Sequence, residues 1–394
     1  MIEKILYKIQ RLRMITFLKP KKKNILIFDR VGSESITKSI HDKKKFDILC
    51  SRYEELNLYI LLKFTFLNIV KSKKNFSYLG YLDIYIKTVK PKLVISLIDN
   101  NPMFFKLKNI NPNIYFICIQ NGVSSSQIEL TKYPKIKIDL FLCFSKYYAA
   151  YYKKYFAKKT EVIGSSRFNY FLKYVKKLQK HKTDNIVFIS QFTKFDSWII
   201  FGKKISKSLH FYPEKKVLPI IFRYCVKKKI KLIITFRSRI SKNKILDEKN
   251  FYINILRNEI DKTNNKYLSF LTSSDNYASY KAVAKCRLAV CIDSALGKEA
   301  MAINKVIHFP MRSKFIGKTV KFGWPKKLPS LGFFWLNYFS KNKVENILSE
   351  NYEMSQESWF RKLKKQNLDL LIFKDPDNLK LKSIINKYSN PTKK

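Results

Sequence analysis

Six cysteines, four histidines and nine glycines in 394 residues exclude several familiar chemistries at once. The cysteines (50, 118, 143, 225, 286 and 291) form no CxxC pair. They mostly lie inside apolar stretches, so they read as small buried side chains in a reducing compartment. Scattered histidines give a metal site little support. The glycines fall into neither the Gly-rich dinucleotide pattern nor the P-loop. No run of 18 apolar residues is free of charge, which argues against a membrane-spanning helix. Glu3, Lys4, Lys8, Arg11, Arg13 and Lys19 interrupt any apolar core that a cleavable signal would need. There is no internal repeat of fixed period and no long low-complexity tract.

Acidic residues are also scarce: 29 against 79 Lys and Arg, a net charge of +50. Such a balance invites a nucleic-acid reading. Yet only 12 of the 79 cations are Arg, and the lysines spread through every segment. A specific nucleic-acid binder concentrates its charge and uses Arg for bidentate contacts. Heavy use of Lys, Asn, Ile, Phe and Tyr is what an AT-rich coding sequence produces. A basic nucleic-acid-binding protein therefore stands as an alternative of another class, testable by salt-dependent binding to arbitrary duplex; no specific nucleic acid is expected.

With 46% hydrophobic and 15% aromatic residues the chain can bury a large core, and its length favours two or three domains. Residues 1–20 carry an apolar stripe opposite Lys4, Lys8, Arg11 and Arg13, which predicts a basic amphipathic helix. Such a helix lies on an anionic membrane surface or docks on the body of the protein. From Lys22 strands and helices alternate. Strands are expected at Asn24–Asp29, Asp47–Cys50, Leu93–Leu97, Tyr115–Ile119, Leu140–Phe144 and Glu161–Ile163, with helices at Glu54–Val70, Tyr78–Val89, Ser145–Phe156 and Arg167–Lys176. Polar residues 177–185 read as a linker. A second set follows, with strands at Ile186–Ser190, Lys231–Phe236, Leu288–Ile292 and Val306–Phe309 and helices near Pro213–Lys228, Phe251–Lys262 and Tyr277–Ala284. The pattern predicts an α/β fold of parallel sheets: a first domain at 21–176, a second at 186–345, and C-terminal helices with a basic tail at 346–394.

The segment Leu288–Phe309 is the most informative. A buried strand runs into Asp293-Ser-Ala-Leu-Gly297, then a short Ala-rich helix and another strand. In a parallel sheet such a turn presents backbone N–H groups where phosphate is held. Glu299, just inside the helix, is placed to reach a ribose hydroxyl pair. Without a Gly-rich loop, the unit points to a diphospho-sugar donor more than to nicotinamide or ATP. Other candidates stand where predicted strands end. Asp29, Arg30, Ser33 and Glu34 follow the first strand, and either carboxylate can act as a general base on an acceptor hydroxyl, Glu34 the better placed, or Asp29 and Ser33 can simply cap the next helix. Asp99, Asn100 and Asn101 can bind a sugar or close an Asx-type turn before Pro102. Gln120, Asn121 and Gly122 can read hydroxyls. Arg167, at the start of a helix, calls for a compensating anion from a ligand or from an ion pair. Ser190 and Gln191 end another strand. Arg237 or Arg239 can clamp a diphosphate or stand as a solvated surface cation, and Arg312 is a further cation. The run Thr272–Asn276 is a helix cap before Tyr277, and Ser273, Ser274 and Tyr277 join the donor candidates.

Taken in order, Asp29–Glu34, Ser51–Asn57, Lys90–Lys92 leading to Ile98–Asn101, Ile119–Gly122, Gly164–Phe168, Arg237–Ser238 and Asp293–Glu299 resemble a bacterial family of surface-carbohydrate biosynthesis proteins of GT-B type. More distantly they look like capsule and teichoic-acid transferases. The resemblance spans roughly residues 24–312. It implies two Rossmann-like domains with parallel sheets facing a central cleft, the acceptor in the N-terminal domain and the donor in the C-terminal one. Carried over by position, Ser294, Gly297 and Glu299 would hold the donor nucleotide, Arg237 would lie near its phosphates, and Glu34 or Asp29 would serve the acceptor. The chain departs from the family at Ala295 and Lys298, where Thr and Tyr are common. The implied activity is transfer of a sugar from a nucleotide-sugar to a glycan or lipid-linked acceptor, without a metal or cofactor, in the cytoplasm or at the inner face of the cell membrane. A sugar-nucleotide epimerase or a glycerol-phosphate transferase on the same scaffold is the alternative.

Overall fold

The structure is a computed structural model; it describes residues 14–40, 42–52, 55–70, 76–122, 137–194, 196–200, 203–237, 242–263, 265–272, 275, 277–311 and 328–390. The chain divides into two units: Met1–Asn121, Leu130–Asn169 and Asp375–Lys394 form the first, Gly122–Glu129 and Tyr170–Lys374 the second.

Strands β1 (Met14–Thr16), β2 (Ile25–Phe28), β3 (Phe46–Leu49), β4 (Glu55–Asn57), β5 (Leu93–Ser96), β6 (Tyr115–Ile119), β7 (Ile138–Cys143) and β8 (Ala157–Val162) belong to the first unit. Six of them make one parallel sheet in the order β3-β2-β5-β6-β7-β8. The four inner strands, β2, β5, β6 and β7, are buried on both faces and need not alternate apolar with polar. Leu26, Phe28, Val94, Phe116 and Cys118 pack on one face, and Ile25, Ile27, Ile95, Ile117 and Ile119 on the other. Helices α1 (Ser33–Thr37), α2 (Leu58–Val70), α3 (Tyr78–Val89), α4 (Pro102–Ile110) and α5 (Lys146–Tyr155) connect them.

The second unit opens with α6 (Ser166–Gln179), whose first residues still lie in the first unit, and β9 (Thr183–Ile189). Then come a two-stranded hairpin, β10 (Ser197–Ile200) with β11 (Lys203–Ser206), and helices α7 (Lys207–His210) and α8 (Tyr212–Lys228). Next are β12 (Leu232–Thr235), α9 (Lys242–Ile260), β13 (Leu268–Leu271), α10 (Ala278–Lys285), β14 (Cys286–Cys291), α11 (Ala295–Ala300) and β15 (Val306–His308). Strands β16 (Leu331–Gly332) and β17 (Trp335–Leu336) precede α12 (Lys341–Glu353) and α13 (Gln356–Lys365). The sheet runs β13-β12-β9-β14-β15-β17-β16, with only the β16–β17 pair antiparallel. Ile186, Phe188, Leu288 and Val290 face one core, and Val187, Ile189, Ala289 and Cys291 the other. The last helix, α14 (Leu379–Ser389), returns to the first unit. Leu381, Ile384 and Ile385 enter its core, and Tyr388 stacks on Tyr115 with ring centroids 4.0 Å apart.

Several sequence expectations need correction. Residues 14–16 are not helical: β1 pairs in parallel with β4. Asn57 Nδ2 donates to Thr16 Oγ1 and to the Leu18 carbonyl, which holds this segment extended. The rest of the expected amphipathic helix, residues 1–13, lies outside the described residues. Residues 55–57, expected as helix, are taken by that same strand pairing. The expected linker at 177–185 is the end of α6 and the start of β9 instead, its polar residues being the exposed ends of both elements. Helix α4 was not foreseen, although Asn101 caps it from Oδ1 to Met103 N–H with Pro102 at the first position.

Candidate functional site

In each unit the strands of the parallel sheet end in polar loops, and those loops hold nearly all the candidate residues. In the first unit Asp29 follows β2 with φ 81°, a left-handed conformation uncommon outside glycine. Its own side chain compensates. Oδ1 accepts from the Val31 N–H at 2.9 Å, while Oδ2 accepts from Ser51 Oγ at 2.6 Å and Arg52 Nε at 2.9 Å. Buried, with three donors on it, this carboxylate organises the loop. Gly32 has φ 77°, and a Cβ there would fall on the Leu97 side chain, so glycine is required twice over. Ser33 is buried, its N–H bonded to the Arg30 carbonyl. Arg30 meets Glu55 at 3.3 Å, and Glu34 meets Lys38 at 2.7 Å across one helical turn. Glu34 is the expected base whose carboxylate faces solvent.

The neighbouring loops continue this network. Asn101 Nδ2 donates to Ser51 Oγ at 3.3 Å, and the Asn121 N–H donates to Asp99 Oδ2 at 3.2 Å. Gln120 is buried, and its Oε1 accepts from the Phe144 N–H at 2.8 Å, so its amide ties two strand ends together. Asn100 and Asn121 are exposed and Gly122 is half-buried. Arg167 stands exposed in the first turn of α6 with no partner among the described residues.

In the second unit the end of β9 carries a buried polar knot. Ser190 Oγ donates to Glu248 and accepts from Tyr252 Oη at 2.7 Å and from the Phe192 N–H at 3.1 Å. Glu248 Oε1 also accepts from the Arg237 N–H at 2.9 Å. The carboxylate thus fixes the backbone at the end of β12, while the Arg237 side chain is exposed without a partner among the described residues. Gln191 Oε1 accepts from the Asp293 N–H at 3.2 Å, linking the ends of β9 and β14. Asp293 is buried, and Ser294, half-buried, starts α11 without a side-chain cap bond.

Gly297 has a different reason from Gly32. A Cβ there would overlap Cys291 Sγ and come within 3.1 Å of His308 Cε1, because α11 lies directly on β14. Cys291 Sγ is 3.2 Å from His308 Nδ1. Burial, with Lys298 nearby, holds the imidazole well below its ordinary range, so His308 is neutral at physiological pH. Lys298 is buried too; lost hydration draws its pKa down to about 8, against the pull of Asp293. Glu299 is half-buried and accepts from Tyr280 Oη at 2.6 Å. Tyr277 packs on Phe171 at 5.6 Å, its N–H held by Asp275 at 2.6 Å. The cap foreseen in Thr272–Asn276 is not found: Tyr277 itself is the N-cap of α10, without a side-chain cap bond, and Asp275 only holds its N–H. Arg239, Ser273, Ser274 and Arg312 lie outside the described residues. None of the six cysteines forms a disulfide, and all are buried.

Glu248, Tyr252 and Tyr280 were not singled out from sequence, and Ser51 and Arg52 entered only within the run Ser51–Asn57, without a role. Glu248 had a signal: it shares a spacing of four with Tyr252 and Leu256, all three buried, so a carboxylate sits on the apolar stripe of α9. Ser51 and Arg52 stand at the end of β3, where following the strand-end rule through every strand would have found them.

Among solved structures, a glycosyltransferase from Rickettsia africae superposes with TM-score 0.51 at 11% identity, over 94% of this chain and all of that one. A variant of the wall teichoic acid polymerase TagF gives TM-score 0.50 at 10% identity, over 94% and 90%. A UDP-N-acetylglucosamine 2-epimerase from Rickettsia bellii gives 0.49 at 13% identity, over 95% and 98%. At these identities the likeness is one of fold: two Rossmann-like α/β units, the architecture of the GT-B class. A search of curated proteins finds no relative by sequence. Residues 84–389 match a family described as "putative O-antigen biosynthesis protein". Because that match covers well over half of the 394 residues, in both units, the chain belongs to this O-antigen biosynthesis family.

Proposed function

We propose that the protein is a glycosyltransferase of surface-polysaccharide synthesis, moving a sugar from a nucleotide-sugar donor to a glycan or lipid-linked acceptor. One observation carries the placement of the donor in the second unit: Arg237. Its guanidinium has no partner among the described residues, although its backbone is pinned by buried Glu248. Strand β9 lies between β12 and β14, so Arg237 is two strand spacings, roughly 10 Å, from the Asp293–Ser294 turn. A diphosphate fits that interval, with Arg237 on its phosphates and Glu299 toward the ribose.

On this reading the departing nucleotide diphosphate is neutralised by Arg237 and backbone N–H groups. No metal or cofactor is assigned a role. Glu34, open to solvent in the first unit, takes the proton from the acceptor hydroxyl. The protein then works in the cytoplasm, peripheral to the inner face of the membrane.

Calorimetric titration with a panel of nucleotide diphosphates and their sugars tests the donor site. Glu299→Ala is expected to weaken nucleotide binding at least tenfold while the melting temperature stays within a few degrees. Unchanged affinity would remove Glu299 from the site, and an absence of binding by the parent protein to every nucleotide would overturn the reading.

A further inference from the structure

The first unit exposes an apolar helix face that nothing among its own described residues covers. Helix α2 buries Ile60 and Phe64 but turns Leu62, Phe66, Ile69 and Val70 outward, each more than 60% exposed. Those four positions follow the i, i+4, i+7, i+8 spacing of one helical face. Beside the start of the helix, Phe17 and Leu18 are 69% and 84% exposed. They are held there by Asn57, the residue preceding α2, through its bond to the Leu18 carbonyl. Of seventeen large apolar side chains exposed among the described residues, nine lie within Met14–Leu18 and Leu62–Phe76. Single exposed apolar residues are ordinary; a concentration of this kind marks an interaction surface.

Charge identifies the occupant. Neither Met14–Asn24 nor Leu58–Val70 contains an acidic residue, whereas they carry Lys19, Lys21, Lys22, Lys23 and Lys63. Lys19, Lys21 and Lys22 are exposed, and the Lys19 ammonium is 6.0 Å from the Tyr59 ring centroid on the first turn of α2. We propose that this surface docks the protein on an anionic phospholipid bilayer, with α2 lying in the interface and the lysines among the headgroups. Basic side chains flanking an apolar helical face match that boundary. A second copy is a poor occupant, since each chain brings a net charge of +50. Four of the six outward side chains, Leu18, Leu62, Ile69 and Val70, are aliphatic and offer nucleic acid nothing to stack on, which leaves only Phe17 and Phe66 for bases. At 13 residues α2 is about 20 Å long. Among the described residues no helix is long and apolar enough to cross a membrane, so the contact is peripheral.

This inference rests on surface geometry and charge, not on the transferase reading, and its test needs no activity. Full-length protein is sedimented with vesicles of phosphatidylcholine alone and of phosphatidylcholine with about one third phosphatidylglycerol. Partition to the anionic vesicles is expected to exceed partition to the neutral ones at least tenfold. Leu62→Ser with Phe66→Ser should lower it at least tenfold, and Phe17→Ser with Leu18→Ser several-fold, with far-ultraviolet dichroism unchanged. Because the second pair lies outside any helix, it serves even if the first fails to fold. Equal partition of a folded variant and the parent would overturn the proposal. So would a parent protein that sediments as a dimer and a variant that sediments as a monomer, since the face would then be a self-association surface.

Discussion

The loop after β2 and the loop after β14 open in the same way, an apolar strand running into Asp and Ser and then a short helix with a glycine close by. The two units use the charges at their strand ends differently. In the first unit each charge of the loop is matched nearby: Asp29 by Arg52, Arg30 by Glu55, Glu34 by Lys38. In the second, Glu248 and Ser190 form a buried scaffold while the Arg237 side chain stays unmatched among the described residues. A charge satisfied within its own loop shapes the chain. A cation whose backbone is fixed and whose side chain is open is prepared for an anion from outside. The first loop is thus built for shape, and the strand ends of the second unit, where Arg237 follows β12, for a ligand.

The largest expected effect falls on the first loop. Asp29→Ala leaves Ser51 Oγ and the Arg52 guanidinium without their acceptor and removes the Asx-type bond that supports φ 81°. Losing a charged acceptor for several donors costs about 3 kcal/mol, measurable as a drop in the urea midpoint. Nucleotide affinity in the fraction that remains folded should not change. If it fell in proportion to stability, the two loops would not be separable in role.

The two glycines sharpen the same contrast. Gly32→Ala and Gly297→Ala each overpack a neighbour, at a cost of about 2 kcal/mol. Their rescue should differ. Trimming Cys291 to Ala makes room for the added methyl at Gly297, whose backbone is not in the left-handed region, so most of the loss is recovered. Trimming Leu97 to Ala beside Gly32→Ala relieves only the clash, because φ 77° remains unfavourable for alanine. Double-mutant cycles in urea measure both couplings. Equal rescue would mean that the Gly32 backbone relaxes.

Lys298 adds a dependence on pH to the second loop. Its native pKa is drawn down to about 8, while the unfolded chain titrates near the ordinary 10.5. Below about pH 8 both states hold the proton, and the native state bears the full cost of burying it. Between about 8 and 10.5 the unfolded chain binds more protons, so stability rises with pH. Lys305, also drawn to about 8 by burial, acts in the same window. Comparison with Lys298→Met isolates one contribution. That variant should be more stable than the parent at pH 7, on the order of 2 kcal/mol, with the advantage shrinking by pH 10. Urea midpoints at the two pH values measure it, and a constant difference would mean that Lys298 is hydrated in solution.

How much of this was legible in the sequence follows from where information resides in the chain. Strands such as Ile25–Phe28 and Tyr115–Ile119 were readable because apolar runs bounded by turn residues leave few other solutions. Strand β1 was not: Met14–Thr16 belongs to a stretch with helical periodicity, and its pairing with Glu55–Asn57 depends on residues some forty positions away. Helix α4 was hidden by reading Asn101-Pro102 as a turn or a sugar contact, when the same pair begins a helix. Among the site residues, strand-end positions could be named because topology puts them together. Their partners could not. Arg52 reaches Asp29 across 23 residues, and Glu248 reaches Ser190 across 58, distances at which spacing says nothing. Sequence located the loops; which charges they consume internally was visible only in three dimensions.

The smallest structural effect is the most diagnostic. Arg237→Ala removes an exposed side chain with no partner among the described residues, so stability should change by less than about 0.5 kcal/mol. Nucleotide-diphosphate affinity should nevertheless fall at least tenfold, about 1.4 kcal/mol, because the backbone carrying the guanidinium is held by Glu248 and the loss of the cation is not offset by any freed partner. Arg30→Ala is the matched control: it too removes an exposed arginine after a parallel strand, but one already engaged with Glu55 at 3.3 Å. It should alter neither stability nor nucleotide affinity by more than about 0.5 kcal/mol. Calorimetry on the two variants therefore separates an arginine spent on its own loop from one held in reserve. Weaker binding in Arg30→Ala with none in Arg237→Ala would place the anion in the first unit and reverse the assignment.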